Sequence, residues 1–194
     1  MTTTLTDFSK LDGLITPDVG EYLYEAAKHI PEDQFIVEIG AWKGKSTCYL
    51  SAGRRDGLGG LVVSVDPWSK KINEWSRYHP SAELKEWRAQ VHAMGFNDYA
   101  VPRRGKSVEV AEMWHEDDKI GLLYIDGDHA RQAVVDDFAY WKPFVVDGGL
   151  IIFDDYGVSH NPDVAPVVHE LEKQGAITDV RIEANGRIAV GRLA

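Results

Sequence analysis

The hydrophobic pattern of this chain switches repeatedly between two periods, and few folds satisfy such switching. Short runs rich in β-branched and aliphatic residues occur at QFIVEIG (34–40), LVVSVDP (61–67), YAVPR (99–103), KIGLLYIDGD (119–128), GGLIIFDDY (148–156), AITDVRI (176–182) and GRIAVGRL (186–193). Between them lie longer stretches with apolar residues three and four apart. Pro17 suits the first turn of a helix running through Val19, Tyr22, Leu23 and Ala26. Further helices are expected over 45–52, 82–94 (with Gly95 as C-cap), 108–114, 129–141 and 164–174. Strands alternating with helices imply βαβ units and a parallel sheet. LLYI and LIIF are apolar on consecutive residues, so both faces of those strands are buried, as in a doubly wound sheet. The last two runs are separated by EANG, and Asn-Gly marks a tight turn, so they read as an antiparallel hairpin ending the sheet. The expected fold is α/β: a doubly wound, three-layer αβα sandwich of seven strands with an antiparallel terminal strand.

A chain of 194 residues suits a single domain over 1–194, with 1–14 as an N-terminal extension. Its 31 acidic against 21 basic residues give a net charge of −10. That balance argues against a general nucleic-acid or anionic-membrane binder, because phosphate binding needs a basic face. No stretch approaches the roughly 18 apolar residues of a membrane span. The opening MTTTLTDFSKLDGL has neither the positive end nor the apolar stretch of a signal peptide. One cysteine, Cys48, excludes an intrachain disulfide framework, fits a reducing cytoplasm and reads as a small core residue. The expected localisation is cytoplasmic.

Ligands of such sheets bind where the strands end. The first strand runs out into Glu38-Ile-Gly40-Ala-Trp42-Lys-Gly44-Lys-Ser46-Thr47. Gly40 permits a tight turn, Gly44 lets a ligand approach the backbone, and Ser46 or Thr47 adds a hydroxyl at the helix start. A phosphate-binding loop would need Gly where Ile39 stands, and a dinucleotide fingerprint would need Gly where Trp42 stands. Trp42 thereby counts against an NAD-dependent oxidoreductase. What remains carries an acidic residue at the strand end, which favours a cation or amine over phosphate; the alternative is an ordinary strand–helix turn. Asp66, ending the second strand, suits the hydroxyls of a ribose, or else caps a helix. Gly105-Lys106-Ser107, after the third strand, forms a turn that could flank a nucleobase.

The fourth strand ends in Asp126-Gly127-Asp128-His129 and the fifth in Asp154-Asp155-Tyr156. On adjacent strands these would bring four carboxylates and an imidazole to one rim. Crowded carboxylates repel and raise one another's pKa unless a cation neutralises them. A hard divalent ion, Mg²⁺ above all, suits such oxygen ligands, with Asp126, Asp154 and Asp155 as the ligand set; the alternative is strand-end capping. His129 and Asp128 are candidates for a general base.

The ordered set EIGAWKGKST, VVSVDPW, LLYIDGDH and GGLIIFDDY resembles the class I S-adenosylmethionine-dependent methyltransferases. It is most similar to the small bacterial branch related to sugar and macrolide O-methyltransferases and cephalosporin-biosynthesis methyltransferase-like proteins, and more distantly to catechol O-methyltransferase. The resemblance spans about residues 15–193 and implies a Rossmann-like seven-stranded sheet with an antiparallel last strand. It implies that Glu38, Gly40 and Gly44 surround the methionine portion of S-adenosylmethionine and that Asp66 holds the ribose. Trp42, Ser46, Trp68, Ser107 and Asp126 complete the expected cofactor contacts. Asp126, Asp154 and Asp155 resemble the Mg²⁺ ligands of the metal-dependent members. Trp42 departs from the small residue of the fuller glycine motif. The implied activity is O-methylation of a small-molecule hydroxyl on a sugar, natural product or catechol-like ring, with a homodimer as a possible assembly. A non-catalytic cofactor-binding or scaffold protein on the same fold is the alternative. Aromatic residues in the long connection 68–94 (Trp68, Trp75, Tyr78, His79, Trp87) and in the loop holding Tyr156, Ser159 and His160 are candidate acceptor contacts.

Overall fold

A computed structural model describes residue 8 and residues 10–68 and 81–194. Its elements run α1 (Pro17–Lys28), β1 (Phe35–Ile39), α2 (Lys45–Asp56), β2 (Val62–Asp66), α3 (Ala82–Ala93), β3 (Ala100–Arg104), α4 (Ser107–Ala111), β4 (Ile120–Ile125), α5 (Arg131–Trp141), β5 (Val145–Phe153), α6 (Val164–Lys173), β6 (Ile177–Glu183) and β7 (Ile188–Leu193). The seven strands form one sheet in the order β3-β2-β1-β4-β5-β7-β6. The first five are parallel; β7 inserts antiparallel between β5 and β6.

The consecutive apolar runs are explained by the period-2 alternation of a strand whose two faces are both covered. Ile36, Leu122, Tyr124, Leu150 and Ile152 face one core, under α1, α2 and α3. Val37, Ile39, Leu123, Ile125, Ile151 and Phe153 face the other, under α4, α5 and α6. Each fully buried aliphatic side chain contributes about 1.5–3 kcal/mol relative to exposure.

Phe8, within the expected N-terminal extension, is fully buried. It packs edge-on against Tyr49 with ring centroids at 4.7 Å, and Phe96 lies at 6.0 Å. Cys48 is a buried free thiol, and burial pushes its pKa up, so the core reading of this residue describes its environment.

α2 runs on to Asp56 rather than ending at 52. Two further helix ends differ from expectation. α4 stops at Ala111 rather than continuing to Trp114, and α5 begins at Arg131 rather than His129. In the second case Asp128 Oδ1 accepts from Ala130 N at 3.0 Å, a local turn that holds 128–130 out of the helix. The turn 184–186 carries positive φ at Ala184, Asn185 and Gly186, as a tight hairpin reversal requires.

At one end of α2, Arg54 is completely buried. Its guanidinium donates to the carbonyls of Ile30, Pro31 (3.0 Å), Glu32 (3.5 Å) and Gln34 (2.9 Å), fastening the segment that leads into β1. No helix among the described residues is long and apolar enough to cross a membrane.

Candidate functional site

Backbone geometry opens the site. Gly40 leaves β1 with φ +87°, and a Cβ there would lie 1.9 Å from the carbonyl oxygen of Asp126. Only glycine lets β1 and β4 run side by side to this point. Gly44 follows with φ +92° as the residue before α2. Beneath the loop, Trp87 donates from Nε1 to Thr47 Oγ1 at 3.0 Å.

Above the loop lies a cavity of about 840 Å³ over the carboxyl ends of the parallel strands. Its wall includes Gly40, Trp42, Gly44, Ser46, Asp66, Ser107, Asp126, Asp128, His129, Asp154 and Asp155. Eleven of the thirteen residues expected as cofactor contacts, metal ligands or bases therefore meet in one space. Glu38 and Trp68 do not line it. Glu38 is fully buried behind the loop, where Oε2 accepts from Thr47 Oγ1 at 2.5 Å and from Ser64 Oγ at 2.7 Å. Burial raises its pKa, with the hydroxyls of Ser46, Ser64 and Thr47 pulling the other way. Its carboxyl braces the start of α2 from below. Trp68 is 2 % exposed, stacked edge-on to Trp87 at 5.9 Å.

Asp66 organises the loops on either side. Oδ2 accepts from Trp42 N at 2.9 Å and Oδ1 from Trp68 N at 2.5 Å. Both tryptophans hold positive φ, +38° and +46°, conformations that cost a non-glycine residue energy and persist only when neighbours enforce them. Trp68 Nε1 also donates to Trp42 O at 2.6 Å. Burial raises the Asp66 pKa against these backbone hydrogen bonds. Ala41 N is a third backbone donor to this carboxylate, which has about four lone-pair positions, so one is left for a donor in the cavity.

At the other end, Asp126 and Asp154 face each other closely enough to share a proton. Burial first, then repulsion from Asp126 and after it Asp155, pushes Asp154 up to about 8; burial likewise raises Asp126 well above the usual carboxylate range. Tyr124 OH donates to Asp126 Oδ2 at 3.2 Å, and Asp154 Oδ1 is buried with no hydrogen-bond partner. His129 Nε2, also buried and unpartnered, lies 3.5 Å from Asp126 Oδ1 and 3.6 Å from Asp155 Oδ2.

Asp155 is turned differently. Its Oδ1 accepts from Arg187 at 2.6 Å and its Oδ2 from Asn161 at 2.6 Å. Among the described residues, no three His, Cys, Asp or Glu side chains converge as a ready ligand set for a metal. The expected three-carboxylate set is thus a facing pair with its third member engaged by a cation and an amide. Asp128 and His129 both line the cavity, and Asp128 Oδ1 also accepts in the 128–130 turn.

Sequence reasoning missed three contributors. Arg187 comes from the hairpin turn, and no motif marks it. Residues 13–15 cross the cavity mouth, held by Gln90, which donates to Asp12 O at 3.0 Å and Lys43 O at 2.5 Å. Asp137, on α5, also lines the cavity; an acidic residue three before an aromatic pair reads as ordinary helix surface until α5 is docked. Trp75, Tyr78 and His79 lie outside the described residues. Tyr156 OH pairs with His169 Nε2 at 2.8 Å, and Ser159 and His160 do not line the cavity.

Asp137 is buried, and burial pushes its carboxyl up to about 6. The folded chain thus binds this proton more tightly than the unfolded chain. Its contribution favours folding at low pH and is lost as pH rises through 6. Asp137→Asn removes a buried charge, and is expected to raise the melting temperature at pH 8, by up to about 3 kcal/mol of stability, and to change it little at pH 4. Thermal melts of both proteins across pH 4–8 check the sign.

Comparison with known proteins adds a family to this geometry. A family model described as "Methyltransferase domain" matches residues 37–156. An uncharacterized protein, R132, of Acanthamoeba polyphaga mimivirus is 43% identical over 142 residues, covering 72% of this chain and 60% of that protein. The chain therefore spans about 60% of the length of that curated relative. Among solved structures, an O-methyltransferase of Bacillus cereus in complex with SAH superposes with TM-score 0.68 at 17% identity, covering 98% of this chain and 90% of that one. The O-methyltransferase TomG of Streptomyces achromogenes, involved in tomaymycin synthesis and in complex with SAM, gives 0.68 at 13% identity over 97% and 85%. At such identities the likeness is one of fold.

Proposed function

The chain belongs to the methyltransferase domain family, and on that premise we propose that it transfers the methyl group of S-adenosylmethionine to a hydroxyl of a small molecule. One observation carries this reading: a single cavity connects Asp66 to the Asp126–Asp154 pair, joining a place for a ribose to a place where a hydroxyl can be activated. The fit to the cofactor is chemical as well as spatial. Buried carboxylates held above their ordinary pKa are relieved by a nearby positive charge, and a sulfonium is one.

When bound, the cofactor supplies an electrophilic methyl on sulfur, so the protein's task is alignment and proton removal. The turn at Gly40 and the start of α2 give a close backbone surface for the amino-acid portion. Asp66 accepts from a ribose hydroxyl. His129 Nε2 takes the acceptor's proton, and Asp126 and Asp155, at 3.5 and 3.6 Å, stabilise the imidazolium that results. Residues 13–15 and Trp42 narrow the mouth and limit water.

The reading is tested by calorimetry with S-adenosylhomocysteine. Wild type is expected to bind it, and Asp66→Ala to weaken binding by at least about 10-fold, roughly 1.4 kcal/mol. Equal affinity in the two proteins would remove Asp66 from the ribose site.

A divalent ion is part of the proposal. Asp126 and Asp154, with the unpartnered Asp154 Oδ1, would hold it, and it would lower the pKa of an acceptor oxygen. Titration with Mn²⁺ followed by electron paramagnetic resonance reads this without turnover. Wild type is expected to bind the ion, while Asp154→Ala loses it and keeps its affinity for S-adenosylhomocysteine. Retained Mn²⁺ binding by the variant would place the ion elsewhere.

A further inference from the structure

We propose that a groove at the amino ends of the parallel strands is a second ligand site, which takes a small organic oxyanion: a carboxylate or phosphate on an apolar body, bound by Arg181, Arg192 and Tyr22. The groove lies at the opposite rim of the sheet from the large cavity and does not depend on the cofactor reading.

The sheet itself makes the space. Ile120 pairs with Val145 and Leu122 with Leu150, so residues 146–149 stand opposite Gly121 alone and are pushed out of the ladder. Arg192 holds the displaced segment, donating to Gly148 O at 2.7 Å. Between this bulge, the outer strands β6 and β7, and the end of α1 is a cavity of about 390 Å³. That volume is in the range of small-molecule pockets. Ala26, Ile30 and Leu150 give it apolar walls.

Its donors are unspent. Arg192 is the cross-strand partner of Leu150, and Arg181 that of Val190. Leu150 and Val190 belong to the core under α1, so both arginines emerge on that face, where Tyr22 also lines the groove. Burial raises the Tyr22 pKa; Arg181 and Arg192 pull it back and Glu183 pushes it up, so both guanidinium groups lie near the phenol. Among the described residues neither arginine is ion-paired, and neither Arg181 nor the Tyr22 hydroxyl makes a hydrogen bond. Two carboxylates share the lining, Glu25 and Asp147. Glu25 is paired with Lys28 at 3.1 Å, and Asp147 is exposed on the bulge. Two guanidinium groups on one face repel until an anion bridges them, and their planar N–H pairs fit the oxygens of a carboxylate or phosphate. A bare ion would use the arginines alone, whereas the apolar walls match a body attached to it.

Calorimetry on the full chain with phenyl phosphate, benzoate and inorganic phosphate tests the site. The arginines are exposed, so the titrations are run at low ionic strength. Wild type is expected to bind phenyl phosphate or benzoate with a dissociation constant of about 1 mM or tighter, and inorganic phosphate at least about 10-fold more weakly. The tighter of the two aromatic probes identifies the oxyanion as phosphate or carboxylate. Arg181→Gln is expected to weaken that probe by about 10-fold or more with an unchanged melting temperature, because the side chain has no other partner. Arg88→Gln, at an exposed arginine of α3 outside the groove, is expected to keep the affinity. Saturating S-adenosylhomocysteine is expected to leave it unchanged as well. No binding by wild type, inorganic phosphate binding as tightly as the aromatic probes, equal losses in the two variants, full affinity in Arg181→Gln, or competition by S-adenosylhomocysteine each overturns the proposal. None of these results bears on whether the large cavity holds the cofactor.

Discussion

Gly40→Ala is expected to remove cofactor binding and destabilise the fold together. The added Cβ meets the Asp126 carbonyl at 1.9 Å, and that carbonyl belongs to backbone, so it yields only if β4 moves away from β1. The two strands are tied at this level by Asp126 N donating to Ile39 O at 2.9 Å. Positive φ at a residue with a side chain costs about 1–2 kcal/mol, and overpacking adds about 1–3 kcal/mol. For a chain of this size each kcal/mol lowers the melting temperature by about 2–4 °C, so a fall of roughly 5–15 °C is expected. Gly95→Ala is the control: φ is +76° there too, but nothing lies within 4 Å of the added Cβ. Thermal melts and calorimetry with S-adenosylhomocysteine measure both effects. A Gly40→Ala protein that melts like Gly95→Ala and binds normally would mean that the strands part more easily than the geometry says.

Arg54→Met is expected to destabilise the fold, because each buried carbonyl left without a donor costs about 1–3 kcal/mol. Burial lowers the Arg54 pKa to about 10, so the guanidinium stays charged at neutral pH. Methionine fills much of the space but leaves the carbonyls of Ile30, Pro31, Glu32 and Gln34 without this donor. Those carbonyls sit in the approach to β1, so the loss extends to the Gly40 turn. Urea denaturation gives the magnitude; an unchanged midpoint would show that water replaces the guanidinium at no cost.

These two residues mark the boundary of what could be read from sequence. The strand at 34–40, its Gly40 turn and the double-sided burial of LLYI and LIIF follow from local pattern, since a period and a glycine are properties of neighbouring residues. The gathering of Asp66, Asp126, Asp154 and His129 was legible for the same reason, because each stands where a strand ends. Arg54 gave no such signal: an arginine near the end of a helix reads as solvated, and only the packing of 30–34 against α2 buries it. Glu38 shows the complementary limit. Its position at a strand end was clear, but which way an acidic side chain points depends on partners, Thr47 and Ser64, that lie 9 and 26 residues away. Arg187 and Asp137 reach the cavity from the late hairpin and from α5, through contacts that no spacing encodes.

The outer strands bear on how copies of this chain can meet. On β3, Gly105 N donates inward to Asp66 O, so by alternation the N–H missing at Pro102 is one that would have pointed outward. On β6, the pairing slips between Thr178 and Arg181, and Asp179 takes φ +54°, which breaks that rim into two short pieces. Neither side of the sheet offers an unbroken row of backbone donors and acceptors. A continuous sheet running through two molecules is disfavoured at both borders, and so is the filamentous stacking that unprotected strands invite. Self-association, where it occurs, is left to helices and loops.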